Sequence, residues 1–270
     1  RPVRRRSTRS VSRVSVQFGT DGIRGVAGTD ITTSLAYRLG RAVAEVFSLT
    51  TCVGYDTRES SPDLAAAVLQ GLVDGGVTAR NLGVFTTPGV AVMAAEANGV
   101  GVVISASHNP FADNGIKLFG PDGYKLSDEL ELEIEQLVDS DMSKKLALSD
   151  KLGRARRIDG VQDRYIEFAK RTLPRNVSLD GLRIVLDCAN GAAYKVAPEA
   201  LWELGAEVLE ALVRLARGPA AKARTVLGIS ARQVEELERD RTLAEQPCAA
   251  ARGRSWGLAP CGFDQACTKR

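Results

Sequence analysis

At 270 residues with an ordinary apolar fraction of 44%, the chain is long enough for one large domain or two modest ones, each with a real core. No apolar run approaches the roughly 20 residues of a membrane helix, and RPVRRRSTRSVSRVSV has no apolar stretch of the kind a secretory signal needs. Residues 1–13 hold six arginines and no acid, and residues 211–270 carry 11 basic against 6 acidic residues, so a net charge of +3 conceals an acidic body of −8 between two basic ends.

In chain order, the arginine-rich head (1–15) reads as disordered; it opens without methionine, as a cloning remnant or an upstream extension would. VQFGTDGIRGVAG follows as a strand leading into a glycine-rich loop. TTSLAYRLGRAVAEVF has helical apolar spacing behind a Thr or Ser cap, TCVGYD is a short strand, and SSPDLAAAVLQGLVDGG starts on serines before Pro62 and stops on glycines. VTARNLGVF, TTPGVAVMAAEANG and VGVVISA continue as strand, helix and strand. SDELELEIEQLVD is a helix with its acids clustered early, where the helix dipole favours them. A charged, linker-like stretch (DSDMSKKLALSDKLGRARRIDG) precedes the helix VQDRYIEFAKRTL, the strand LRIVLDCANG and the helix AAYKVAPEALWELG. This alternation predicts an α/β fold of mixed, mostly parallel sheets sandwiched by helices. The break near 140–160 divides it into units spanning 16–150 and 155–208.

After about Val208 the pattern stops. Residues 209–270 read as a basic tail, partly helical and partly without periodicity. Leu227-Gly228-Ile229-Ser230, with Val234 and Leu237 behind it, faintly suggests a helix-turn-helix and hence a DNA-binding module. Arg224 stands where that motif has alanine, with Ala223 one place early, and Glu235, Glu236 and Glu238 crowd the face that would meet DNA, so nucleic acid is the weaker expectation. Five cysteines form no CxxC pair. Cys52 and Cys188 are expected as small core residues, and Cys248, Cys261 and Cys267 make no tidy disulfide set, which fits a reducing cytoplasm.

The chemistry gathers in VVISASHNPFADNGIKLFG (102–120), where a buried strand breaks into Ser-Ala-Ser-His-Asn-Pro around His108, the chain's sole histidine. In an open α/β sheet, ligands collect at the carboxyl ends of strands, which is where this break falls. Ser-His-Asp hydrolysis fits poorly: Ser107 and His108 are adjacent, and no GxSxG elbow surrounds the serine. Asn114-Gly115-Ile116-Lys117 returns a lysine to the same edge within a short loop. Phe18-Gly19-Thr20-Asp21-Gly22-Ile23-Arg24-Gly25 and Gly54-Tyr55-Asp56-Thr57-Arg58 bring two arginines. Cations beside bare glycines suit a phosphate group.

FGTDGIRG, GYDTR and SASHNPFADNGIKLF, in this order and spacing, resemble the first domain of the α-D-phosphohexomutases over roughly Val16–Val208; SASHNP is similar to the amino-sugar branch, whereas relatives acting on glucose or mannose phosphates read TASHNP. The resemblance implies that Ser107 is a phosphoserine intermediate. It would pass its phosphoryl group to a hexosamine monophosphate, form the 1,6-bisphosphate, and take the other phosphoryl group back, on the way to UDP-N-acetylglucosamine and peptidoglycan. Arg24 would stabilise charge near the phosphoserine, and Lys117 would act as acid/base or electrostatic partner of the sugar hydroxyl. His108 would contact the phosphoryl group or sugar. Thr20, Gly22, Asn109 and Arg58 would bind phosphate or substrate, with Asn109 fixing the loop and Arg58 more its orienter than its ligand.

The resemblance also implies Mg²⁺, held by the phosphoryl oxygen on Ser107 and three aspartates of a DGDxDR loop in the second domain. This sequence has no such loop. Asp139-Ser140-Asp141 reads as a solvated helix end, and Glu238-Arg239-Asp240-Arg241 as a helix surface. The family's GExSGH sugar loop and its last phosphate loop are absent too. With one anionic partner for the metal, little or no turnover is expected from this polypeptide alone, and an inactive sugar-phosphate-binding remnant is the competing reading. The change near 208 resembles a frame change, a gene-prediction artefact or a fusion.

Overall fold

The computed structural model describes residues 17–142, 146–189 and 191–210. The basic head, the tail with its helix-turn-helix-like stretch, and the three tail cysteines lie outside the described residues.

Strands β1 (Ile23–Val26), β2 (Thr51–Tyr55), β3 (Ala79–Val84), β4 (Val100–Ile104), β5 (Asp113–Phe119) and β6 (Ala155–Arg157) form one sheet in the order β1-β5-β4-β2-β3-β6. β4, β2, β3 and β6 run parallel; β5 runs antiparallel between β4 and β1. Helices α1 (Thr33–Phe47), α2 (Ser61–Asp74) and α4 (Asp128–Asp139) cover one face, and α3 (Thr87–Glu96) and α5 (Val161–Arg171) the other.

The two-residue alternation of the strands feeds two cores. Val53, Val102, Ile104, Ile116 and Leu118 meet Leu39, Val43, Val68, Leu72 and Ile134 on the first face. Cys52 and Val103 meet Phe85, Val90, Met93, Val161 and Ile166 on the second. Because β2 and β4 are buried on both faces, they read as continuous apolar runs. Side-chain caps set the helix starts: Thr32 Oγ1 accepts from the Leu35 amide at 3.1 Å and Thr86 Oγ1 from Gly89 at 3.2 Å.

The expected mixed, mostly parallel α/β fold is present, with local differences. The strand anticipated around Phe18 lies later, at β1, and the segment before it is a tight turn. Asn114–Lys117, expected in a short loop, sits in β5, a seven-residue strand inside the sheet. The linker-like stretch contains β6, which pairs with β3 as an arginine-bearing edge, a charge pattern that discourages edge-to-edge association. The helix expected to open a second unit instead packs on this sheet. Val161 and Ile166 are buried in the second core, and Tyr165 stands edge-on to Phe85 with ring centroids 5.7 Å apart. The charged residues at 155–157 belong to an exposed edge strand.

Beyond it, β7 (Arg183–Leu186), a 3₁₀ turn (Ala192–Tyr194), α6 (Val196–Glu203) and β8 (Glu207–Glu210) make a βαβ unit with β7 and β8 parallel, so the strand due near Val208 does form. Cys188 is half-exposed there, not a core residue; Cys52 is fully buried, and burial pushes its thiol up to about 11. Asp139, expected to be simply solvated, pairs with Arg38 at 3.5 Å.

Candidate functional site

β2 and β4 end side by side, Tyr55 opposite Ile104. The Ser105 amide donates to Gly115 O at 2.9 Å and carries the pairing with β5 one step further. Ala106 is buried, and then the chain turns out: Ser107 is exposed with φ +57°. A left-handed conformation costs a residue with a side chain about 1–2 kcal/mol. The other described non-glycine residues with positive φ include Ser48 and Asn98, which end helices; Ser107 instead follows a strand, directly at the sheet's carboxyl edge. Its amide donates to Ser105 Oγ at 3.0 Å, and two turns close the loop, Asn109 N–H to Ala106 O at 3.1 Å and Asp113 N–H to Pro110 O at 3.0 Å. The strand break read from the sequence thus delivers one hydroxyl into solvent. Ser107 Oγ lies 3.5 Å from His108 Nδ1, at the outer limit of a hydrogen bond, and both side chains are exposed.

Arg58 holds this loop. Nη1 donates to Pro110 O at 2.6 Å and Asp113 O at 2.9 Å, Nη2 to Ser107 O and Asn109 O at 2.9 Å each, and Nε to Asp56 Oδ2 at 3.0 Å. A guanidinium has five N–H donors, and all five are engaged. Four of these donors are spent on the loop backbone and the fifth on Asp56. Asn109 likewise braces the loop, its Nδ2 donating to Asp113 Oδ2 at 3.0 Å.

The clamp is itself supported. Asp56 Oδ1 accepts from the Arg58 amide at 3.1 Å and from Ser61 Oγ at 2.7 Å. Fully buried Asn114 donates through Nδ2 to Ser60 Oγ at 2.9 Å and Ser61 Oγ at 3.0 Å, while its Oδ1 accepts from Gly115 N–H at 2.8 Å. The serines before Pro62, legible as a helix start, thus serve this network; Ser60 makes no side-chain cap bond. Sequence reasoning passed over Asp56, Ser60, Ser61 and Asn114 as site-building residues. The available signal was a concentration of small polar residues directly after strand ends.

On the other side of the loop, Gly19-Thr20-Asp21-Gly22 forms a tight turn in which Gly19 and Gly22 exchange N–H to O bonds of 3.1 Å. Gly22 has φ +84°, and a Cβ there would stand 2.3 Å from Ile116 O, so only glycine fits against β5. Its amide is engaged inside the turn, which makes Gly22 a shape residue. Thr20 is exposed at the turn. β1 then pairs Arg24 with Gly115, and β4 pairs Val103 with Lys117, so Arg24, Gly115 and Lys117 share the α3-side face. A Cβ on Gly115 would meet Arg24 Cγ at 3.0 Å and Ser105 O at 2.9 Å, so the bare glycine lets the arginine lie across the strand.

Asp21 joins the two cations: Oδ2 is 3.2 Å from Arg24 Nη2, and Oδ1 is 3.7 Å from Lys117 Nζ. Burial pushes Lys117 below the ordinary lysine range; the Asp21 carboxylate opposes that shift and the Arg24 guanidinium adds to it. Arg24 Nε is buried without an acceptor. The arrangement offers an exposed hydroxyl on a braced loop and, on the neighbouring strands, two cations held by one carboxylate. That combination can carry and stabilise a phosphoryl group through charge and position.

Mg²⁺ does not fit the described residues. None of them form a cluster of three or more Asp, Glu, His or Cys side chains able to hold a metal ion; of the nearby carboxylates, Asp21 and Asp56 are committed to cations and Asp113 accepts from Asn109. Ser107 could contribute one oxygen; further ligands would have to come from outside these residues.

Residues 15–145 match the family model for phosphoglucomutase/phosphomannomutase, alpha/beta/alpha domain I. The exposed strand-end serine and its cations lie within these residues, so this part of the chain is a domain I of that family. The curated relatives it is similar to are phosphoglucosamine mutases. That of Afipia carboxidovorans is 59% identical over 198 residues, and that of Methylorubrum populi 58%; each alignment takes in 71% of this chain and 44% of the relative. The chain thus spans less than half the length of those relatives. Among solved structures, a phosphoglucomutase/phosphomannomutase family protein from Burkholderia thailandensis superposes with a TM-score of 0.59 at 26% identity, over 70% of this chain and 42% of that one. Paramecium parafusin, a phosphoglucomutase, shares the fold at 17% identity with a TM-score of 0.51, over 72% of this chain and 43% of that one.

Proposed function

We propose that this chain carries the phosphoserine half of a phosphoglucosamine mutase site. Ser107 is the phosphoryl carrier, and the enzyme interconverts glucosamine 6-phosphate and glucosamine 1-phosphate. The observation that carries the reading is the left-handed, exposed Ser107 on a loop whose backbone carbonyls are gripped by Arg58. The identity to phosphoglucosamine mutases, well above that to the solved glucose- and mannose-phosphate relatives, supports the amino sugar over those alternatives.

In the forward step the free hydroxyl of the hexosamine monophosphate attacks the phosphorus on Ser107. A new sugar O–P bond forms as the Ser107 Oγ–P bond breaks; the proton lost by the sugar hydroxyl is made good on Ser107 Oγ. The product is the 1,6-bisphosphate, and the return step transfers its other phosphoryl group to Ser107 by the same exchange. Arg24 and Lys117 screen the charge on the moving group, and Lys117, its proton loosened by burial, is the residue suited to exchange a proton with the sugar hydroxyl. His108 and Thr20, both exposed at this edge, contact the phosphoryl group or the sugar. In the family Mg²⁺ would add charge neutralisation, with ligands from beyond the described residues. The setting is cytoplasmic, within amino-sugar supply to the cell wall. No helix among the described residues is long and apolar enough to cross a membrane.

Intact mass after incubation with glucosamine 1,6-bisphosphate tests the proposal: one phosphoryl group is gained, and it maps to Ser107. No uptake by the wild-type chain, or undiminished uptake by Ser107→Ala, overturns it.

A further inference from the structure

Arg24 and Lys117 are the fixed parts of their cluster, with side chains 21% and 20% exposed, whereas the Asp21 side chain is 58% exposed at the tip of a tight turn. One carboxylate spans both cations, an oxygen to each, as two non-bridging oxygens of a phosphoryl group would. Arg24 Nε, buried and without an acceptor, is a donor that the carboxylate leaves unused. Asp56, the other carboxylate beside an arginine of this site, is 13% exposed and braced by Ser61 Oγ and the Arg58 amide; Asp21 accepts no such bracing bond among the described residues.

We propose that Asp21 is a built-in counter-anion, which occupies the phosphoryl seat between Arg24 and Lys117 while that seat is free of phosphate and swings out when phosphate arrives. The inference rests on the cradle reading above. Without a resident anion, two half-buried cations would repel each other and would retain any passing anion. With one, the net charge of the cluster falls from +2 to +1, and phosphate enters only by displacing a carboxylate into water. Asp21 is thus a positioning residue that sets how tightly the cradle holds phosphate and how readily it lets go.

The test compares wild type with Asp21→Asn, which keeps the shape and removes the charge, and with Asp21→Ser as a second variant should the first fold poorly. Inorganic phosphate is the probe, titrated at low salt by calorimetry on the full chain. The counter-anion role predicts that phosphate binds about three- to tenfold tighter in Asp21→Asn, the size expected of two exposed ion pairs. It also predicts that the Lys117 side-chain NMR titration moves to lower pH, because the carboxylate that favours its charged form is gone; a purely structural role would leave that titration in place. Equal or weaker phosphate binding in both Asp21 variants, while Arg24→Gln loses it, would overturn the counter-anion and leave the cradle standing. Failure of wild type to bind, with Arg24→Gln indistinguishable from it, would overturn the cradle reading as well.

Discussion

Replacing Arg58 by methionine keeps much of the side-chain volume and removes every donor from the clamp. Four backbone carbonyls of residues 107–113 lose their guanidinium partner, and Asp56 is left as a carboxylate with no cation opposite it. The Arg58 side chain is only 10% exposed, so water replaces these bonds poorly. Removing one side of such a buried arrangement costs about 3–5 kcal/mol. Holding Ser107 in the left-handed region costs about 1–2 kcal/mol, so the clamp holds more than enough free energy to maintain that conformation, and its loss lets Ser107 return to negative φ. A hydroxyl misplaced by roughly 1 Å slows a positioned reaction about 10²-fold. Arg58→Lys, with three donors on one nitrogen, restores charge without the fork and should fall between the two. Time-resolved intact mass during phosphoryl uptake from glucosamine 1,6-bisphosphate measures the rate. Hydrogen exchange reports whether amides of 105–113 loosen while those of β4 stay protected. Uptake by Arg58→Met at the wild-type rate would refute the reasoning, and so would loss of β4 protection together with the loop, since the damage would then be general.

Ser107→Gly and Ser107→Ala should both abolish phosphoryl uptake but differ in stability. Glycine relieves the left-handed strain that alanine keeps, so the glycine variant should be about 0.5–1 kcal/mol the more stable after its larger unfolded-state entropy is allowed for, read from urea midpoints. Lys117→Met should be neutral or stabilising near neutral pH, because the folded chain disfavours the charged amine. Between the depressed folded value and the ordinary 10.5 the unfolded chain binds more protons, so wild-type stability rises with pH there, and the difference between the proteins shrinks as pH approaches 10.5; a difference constant in pH would count against a depressed Lys117.

Much of the layering was legible because burial on both faces writes itself into composition. TCVGY and VGVVI are nearly continuous apolar runs, and the helices between them have caps and a single apolar stripe. β5 and β6 were not, for opposite reasons. β5 alternates Asn114, Ile116 and Leu118 on one face with Gly115 and Lys117 on the other, so its site-bearing face looks like loop chemistry. β6 is a short edge strand with exposed arginines, and only its pairing with β3 makes it a strand. The same residues show that charge marks an exposed edge as readily as a linker.

Within the site, the residues that meet solvent announced themselves, and those that hold them in place did not. Ser107 and His108 stand out because a polar run interrupts an apolar strand, and Arg24 and Lys117 because cations neighbour glycines. Asp56, Ser61 and Asn114 look like turn residues in a linear reading, and in isolation each would satisfy local backbone groups. What turns them into a support is the pairing of β4 with both β2 and β5, which brings Asn114 of β5 within hydrogen-bond reach of Ser61, beyond the end of β2. The same pairing places the Arg58 fork under the serine loop from a different crossover, so the left-handed Ser107 is maintained by contacts at a sequence separation of about 50 residues. Local propensity favours releasing that conformation, and tertiary structure holds it, which is the balance expected where strain keeps a reactive hydroxyl presented.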